Sequence, residues 1–211
     1  MTTGSRFLHH FTELPLVAIL RGVTPDEVAP LGECLHAAGF RVIEIPLNSP
    51  QACESIRRLA AMFGDRASIG AGTVLETTEV ADVAGAGGSF IVSPNMNADV
   101  IRATKAAGLM SCPGVATPSE GFAALAAGAD MLKLFPSEQI GPAVVKAWRA
   151  VFPKEIALMP TGGISTENMA AYAAAGVAGF GLGSALYRPG RSPTDVRAAA
   201  DAFTAAWRAC R

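Results

Sequence analysis

The chain has 211 residues, a formal net charge of -1, a pI near 6.3 and a composition that is half hydrophobic. This length suffices for one large core. The balanced charge gives no basic footprint for nucleic acid or an anionic membrane surface, and no apolar run approaches the roughly 18 residues a membrane span needs.

The four cysteines (Cys34, Cys53, Cys112, Cys210) are scattered without a Cys-x-x-Cys pair, the pattern of reduced thiols in a cytoplasmic protein. Met1 to His10 carries no apolar segment and no small-residue cleavage site, so no secretory signal is read there. The three histidines, His9, His10 and His36, read as surface residues, and no metal site is expected.

In chain order, Ser5 to Leu14 predicts an extra N-terminal helix, and Leu16–Leu20 a first strand. Thr24-Pro25-Asp26-Glu27 has the form of a capping box opening a helix, with Thr24 as N-cap and Pro25 in the first turn. Arg41–Ile45 is the next strand, followed by a helix opened by Asn48-Ser49-Pro50. Ser68–Ala71, Phe90–Ser93 and Leu109–Cys112 follow as strands, with helices starting at Thr77, at Asn97 and, with a second capping box, at Thr117-Pro118-Ser119-Glu120. Met131–Phe135, Ala157–Pro160 and Gly179–Leu182 complete the strands. The last helices lie at Gly141–Val151, after Ser165 or Thr166, and at Pro193–Cys210. Most helices end in small residues and a glycine, such as Ala37-Ala38-Gly39 and Ala126-Ala127-Gly128, a helix C-cap signal. Eight strands alternating with eight helices over residues 1–211 predict a single-domain (β/α)8 TIM barrel. A doubly wound open sheet is the alternative, but no Gly-x-Gly-x-x-Gly turn follows the first strand.

A barrel of this kind works from the C-terminal ends of its strands, where the apolar pattern is broken selectively. Lys133 interrupts Met131-Leu132-Lys133-Leu134-Phe135. Lysine is rarely buried unpaired, burial favours the neutral form of an amine, and a neutral amine attacks carbonyl carbon to form a Schiff base. Glu44 lies inside the second strand, Arg21 ends the first, and Thr73 follows the third. One reading is a buried ion-pair network of Arg21, Glu44 and Lys133, or a lysine whose ammonium snorkels outward. The other assigns Lys133 as nucleophile, Glu44 as general acid and base, and Arg21 and Thr73 to a substrate carboxylate. The loops Thr161-Gly162-Gly163-Ile164-Ser165 and Gly181-Leu182-Gly183-Ser184 follow strands seven and eight, where such barrels bind phosphate.

Together these motifs resemble the class I aldolases of the 2-keto-3-deoxy-6-phosphogluconate and -galactonate type. The resemblance runs through Ala18-Ile19-Leu20-Arg21-Gly22, Val42-Ile43-Glu44-Ile45-Pro46-Leu47-Asn48-Ser49-Pro50, Gly70-Ala71-Gly72-Thr73-Val74-Leu75 and Ser93-Pro94-Asn95. It continues in Cys112-Pro113-Gly114, Leu132-Lys133-Leu134-Phe135-Pro136, Pro160-Thr161-Gly162-Gly163-Ile164-Ser165 and Gly181-Leu182-Gly183-Ser184. It implies an imine on Lys133 with no separate cofactor or metal, Glu44 as acid and base, and Arg21 on the carboxylate. Gly162, Gly163, Gly183 and Ser184 fall at its phosphate-binding positions. It also implies a homotrimer whose small-molecule partners are a phosphorylated keto-deoxy sugar acid, pyruvate and D-glyceraldehyde 3-phosphate. Asn48 and Ser49 are similar to the galactonate branch, while Thr161 is the gluconate-like form, so Thr161 and Asn48 are the candidate specificity residues. The expected reaction is cleavage of the galactonate substrate, with the gluconate C4 epimer or both as the alternative. A non-catalytic phosphosugar-binding barrel and a phosphosugar isomerase are readings of other classes: the first forms no imine, the second releases no pyruvate. Cys112 is expected to serve packing.

Overall fold

A computed structural model describes residues 2–210, so Met1 and Arg211 of the expected 1–211 domain lie outside the described residues. The strands are β1 (Leu16–Ile19), β2 (Val42–Pro46), β3 (Ser68–Gly72), β4 (Phe90–Val92), β5 (Met110–Cys112), β6 (Gly114–Val115), β7 (Met131–Leu134), β8 (Ala157–Pro160) and β9 (Phe180–Leu182). The helices are α1 (Thr3–Glu13), α2 (Val28–Ala37), α3 (Ala52–Phe63), α4 (Thr77–Gly85), α5 (Ala98–Ala106), α6 (Pro118–Ala126), α7 (Pro142–Arg149), α8 (Met169–Ala174) and α9 (Pro193–Ala209). Every strand pairing is parallel.

The strands form a curled parallel α/β arrangement in two hydrogen-bonded groups, ordered β5-β4-β3-β2-β1-β9 and β6-β7-β8. The predicted fifth strand, Leu109–Cys112, is present as β5, and β6 is a further short strand set off from it by Pro113, which has no N–H. Its carbonyl still accepts from the Lys133 amide at 3.0 Å, and Ser111 accepts from the Asp130 amide at 3.0 Å. At the other margin Ala178 donates to the Leu158 carbonyl at 2.9 Å, and Thr161 bridges Gly181 in parallel.

Strand alternation explains why a lysine can sit in an apolar run. Successive side chains point to opposite faces. Ile43 and Ile45 of β2, and Leu132 and Leu134 of β7, belong to the larger core cluster with residues of the surrounding helices. Val42 and Met131 belong instead to an inner cluster with Phe90, Met110 and Met159. Glu44 and Lys133 stand two residues further along the inner face, one layer toward the C-terminal strand ends.

Helix α1 closes the opposite end. Its Phe7 and Phe11 enter the inner cluster, and buried His10 places Nδ1 3.0 Å from Ser68 Oγ at the start of β3. This corrects the expectation of three surface histidines: His10 is 4% exposed, because positions 7, 10 and 11 share one face of a helix. Burial holds the His10 imidazole below its ordinary range, with Glu13 pulling in the other direction. Below about pH 6.5 the unfolded chain takes up a proton that the folded chain refuses. Stability is therefore expected to rise with pH through this window and to be lost as the pH falls through it. Between pH 7.5 and 5.5 the melting temperature of His10→Gln should fall by about 2–4 °C less than that of the unmodified protein. Equal falls would show that His10 is not the group responsible.

The helix starts follow the capping chemistry in part. Thr117 and Glu120 form the complete capping box of α6, Asn97 caps α5, and Ser192 caps α9 by accepting from the Asp195 amide. At Thr24 only half the box forms. Both the amide and the hydroxyl of Thr24 donate to Glu27 Oε2, at 3.0 and 2.7 Å, and the helix begins one turn later at Val28. Ser49 likewise does not open a helix. It is buried and accepts from the Gly22 amide at 2.9 Å, and the chain passes through Gln51 at φ 47° before α3 starts. Neither Ser165 nor Thr166 is a helix cap: the Asn168 carboxamide accepts from the Ser165 amide at 3.0 Å, and α8 begins only at Met169.

Candidate active site

The C-terminal strand ends enclose a cavity of about 580 Å³. Arg21, Lys133, Thr161, Gly162, Gly163, Gly183 and Ser184 line it, and Phe135, Ser165, Gly181, Tyr187 and Arg188 complete much of the wall. Seven of the expected site residues thus share one cavity, though they span residues 21 to 184 of the chain.

Lys133 is 4% exposed, and its Nζ lies 4.7 Å from the centre of the Phe135 ring. It makes no salt bridge of 4.0 Å or less among the described residues. Glu44 is 1% exposed and lies outside the cavity wall, with Oε2 buried and without a hydrogen-bond partner among the described residues. Burial pushes its carboxyl up from the ordinary carboxylate range, while Lys133 and then Arg21 draw it back. A carboxyl so placed holds its proton to higher pH than an exposed one, which suits a group that gives and takes protons. The reading of Arg21, Glu44 and Lys133 as a closed structural ion-pair network therefore has no close pairing to support it.

Arg21 is aimed by its neighbours. Its guanidinium donates to Asn48 Oδ1 at 2.6 Å and to Thr73 Oγ1 at 3.4 Å. Asn48, expected as a specificity residue, thus orients the arginine directly. Thr73 holds φ at +58°, a left-handed conformation uncommon outside glycine, as the chain leaves β3. Thr161 is 5% exposed and its buried hydroxyl has no partner among the described residues.

Gly162 and Gly163 have φ of +98° and +61°, conformations that favour glycine. Gly183 is different: a Cβ there would meet no heavy atom within 4 Å. The Gly162 carbonyl accepts from the Ser137 hydroxyl, and the Gly163 carbonyl accepts from Asn168 Nδ2 at 2.8 Å. These bonds fix the loop after β8. The helix expected to follow it directly is displaced, and α8 spans only six residues, so the loop amides rather than a helix dipole are the donors available there.

Sequence reasoning missed the residues that make room for this site. A Cβ on Gly72 would overlap the Glu44 carboxylate, and one on Gly181 would press on Thr161 Oγ1. Glu44 and Gly72 lie on paired strands, with Pro46 opposite Gly72; Gly70-Ala71-Gly72 was the available signal, since glycine inside a strand marks close approach. Arg188, Tyr187 and Ser165 gave no comparable signal. Cys112 packs in the inner cluster, and burial raises its thiol to about 12, which keeps it protonated. Among the described residues no group of three or more His, Cys, Asp or Glu could hold a metal ion, and no helix is long and apolar enough to cross a membrane.

The curled parallel fold, with an amine, a carboxyl and an arginine gathered at its strand ends, is the architecture of an α/β enzyme. The family model of KDPG and KHG aldolases matches residues 8–194, and the chain belongs to that family. It is 49% identical over 197 residues to the 2-dehydro-3-deoxy-6-phosphogalactonate aldolase of Escherichia coli (strain K12), covering 93% of this chain and 96% of that protein. It is 37% identical over 165 residues to the 2-dehydro-3-deoxy-phosphogluconate aldolase of Pseudoalteromonas atlantica, covering 77% of this chain and 75% of that one. A solved structure described as native KDPGal superposes with a TM-score of 0.93 at 48% identity, covering 94% of this chain and 97% of the other.

Proposed function

We propose that the protein cleaves 2-dehydro-3-deoxy-6-phosphogalactonate reversibly into pyruvate and D-glyceraldehyde 3-phosphate through an imine on Lys133. The observation that carries this reading is the buried Lys133 amine on the cavity wall, with Glu44 buried outside that wall and Arg21 aimed by Asn48 and Thr73. Similarity at 48–49% to proteins named for the galactonate substrate supports the choice of substrate.

In this mechanism Arg21 and Thr73 hold the substrate carboxylate. The Lys133 amine adds to C2, and Glu44 supplies the proton with which the carbinolamine loses water. The resulting iminium accepts the electron pair of the C3–C4 bond when the C4 hydroxyl gives its proton to Glu44, which frees the aldehyde. The enamine takes a proton at C3, and water releases pyruvate and restores the amine. The amides of Gly162, Gly163 and Gly183, with Ser184, receive the phosphate. Neither a metal nor a further cofactor enters any step. The same reading includes a closed (β/α)8 barrel across both strand margins, a homotrimer, and a cytoplasmic setting. A solution mass of three chains of 21.7 kDa tests the trimer.

Borohydride trapping with pyruvate, followed by peptide mass spectrometry, tests the mechanism: a reduced adduct on Lys133 supports it, and an active enzyme that gives no adduct rejects it. A barrel that only binds phosphosugars would also form no adduct, and an isomerase would release no pyruvate.

The hydroxyl of Thr161 favours a second reading, in which the gluconate epimer is also cleaved. This buried hydroxyl has no partner among the described residues, so its removal strands no other group there and should leave the melting temperature undiminished. Thr161→Val is expected to lower kcat/KM for the gluconate epimer by about 10-fold relative to the galactonate epimer. An unchanged ratio would remove Thr161 from the specificity determinants.

A further inference from the structure

The phosphate end of the cavity is not built from glycine loops alone. Two charged side chains that the mechanism above does not use flank it: Arg188 on the cavity wall and Glu138, exposed, outside that wall. Glu138 packs across the loop after β8: a Cβ on Gly162 would lie 2.6 Å from its Oε2, and one on Gly163 would lie 2.7 Å from its Cγ. Its exposed carboxylate, outside the cavity wall, therefore packs on the outer side of the loop whose amides are proposed to receive the phosphate. A dianionic phosphate entering this loop meets a like charge, which disfavours binding.

Arg188 stands on the other loop, four residues after Ser184. It lines the same cavity as Lys133 and Arg21. Its Nε donates to the Ser184 carbonyl at 3.1 Å, which ties the guanidinium to the loop proposed to hold phosphate. The terminal amino groups make no hydrogen bond and no ion pair among the described residues. Neighbouring Arg191 differs: it donates to the carbonyls of Ala185 and Leu186, both at 2.8 Å, and so serves to brace the turn. The cavity thus carries one guanidinium at the Arg21 end, one at the Ser184 end, and the amine on the wall shared by both.

We propose that Arg188 is a substrate-binding residue that clamps the terminal phosphate, offsetting Glu138 and making the site selective for a keto acid with an anion at each end. A planar guanidinium fixed through Nε presents its two remaining amino groups to phosphate oxygens in the fork geometry that suits them. Selection then comes from both charges: Glu138 disfavours an anion on the glycine amides alone, and Arg188 restores affinity only for a ligand that reaches it. The proposal rests on the phosphorylated substrate class given above, but its binding test does not depend on turnover.

The experiment compares Arg188→Gln, Arg188→Lys and the unmodified enzyme on the phosphorylated keto-deoxy acid and its unphosphorylated counterpart. Binding of glycerol 3-phosphate is measured by calorimetry alongside. Arg188→Gln is expected to lower kcat/KM for the phosphorylated substrate by about 10- to 100-fold, mainly through KM, and to weaken glycerol 3-phosphate by a similar factor. The ratio of the two substrates' kcat/KM should collapse accordingly, and Arg188→Lys should recover part of it. Equal losses on both substrates, or unchanged glycerol 3-phosphate binding, would overturn the assignment. If the unmodified enzyme releases no pyruvate, the aldolase reading fails, and the calorimetric comparison still decides the role of Arg188.

Discussion

Replacing Lys133 by alanine is expected to lower the cleavage rate by on the order of 10⁴-fold or more, because the amine forms a covalent intermediate for which no other group can substitute. Among the residues lining the cavity, Lys133 is the sole lysine. The variant should lose the pyruvate adduct at the same time. Its fold should survive: Lys133 has no close ionic partner among the described residues, so the truncation leaves no paired charge exposed, although it opens space beside Phe135. Rate measurements under single-turnover conditions check the loss, and a circular dichroism melt checks the fold. A folded Lys133→Ala enzyme that retained near-normal cleavage would remove the imine mechanism.

Gly72→Ala should be nearly as damaging, although Gly72 forms no bond to substrate in the proposed mechanism. The added methyl would occupy the space of the Glu44 carboxylate. Glu44 is 1% exposed, so either the carboxylate turns away or β3 shifts from β2. Overpacking of this kind costs about 1–3 kcal/mol of stability, and loss of general acid–base catalysis costs about 10²- to 10⁴-fold in rate. The double variant Gly72→Ala, Glu44→Gln discriminates between the two effects. If Gly72 acts by placing Glu44, the double variant should be no slower than Glu44→Gln alone. Multiplicative losses would show that Gly72 acts through the backbone instead.

The position of Glu44 has a cost as well as a use. Because burial raises its folded-state pKa, the folded chain holds the proton to higher pH than the unfolded chain does. The resulting contribution to stability is full below the unfolded carboxyl's range, about pH 4.5, and is lost as pH rises through the folded value. A glutamate retained under that penalty is more simply explained by proton transfer than by structural support.

Much of the fold was legible in the chain because its signals are local. The glycine-terminated helices, the short apolar strands and the capping box at Thr117 and Glu120 each depend on residues within a few positions of one another. Lys133 and Glu44 were legible for a related reason: each is a charged residue inside a short, otherwise apolar run, a break that sequence alone displays. Where local signals competed with tertiary contacts, they failed. Ser49 was drawn inward to the Gly22 amide, and Glu27 bound Thr24 without starting the helix there. His10 was read as exposed because its burial depends on α1 docking against Ser68, 58 residues away.

The sequence by itself determined the alternation of strands and helices, the chemical types at the strand ends and the glycines that free the loop after β8. Tertiary structure alone decided that Gly72 must lack a side chain for Glu44 to fit, that Asn48 and Thr73 aim Arg21, and that Arg188 shares a wall with Lys133. The reason is that a residue's type and its near neighbours set backbone preference and polarity. Which distant groups come within hydrogen-bonding reach is fixed only when parallel strands, separated by whole helices, are brought into register.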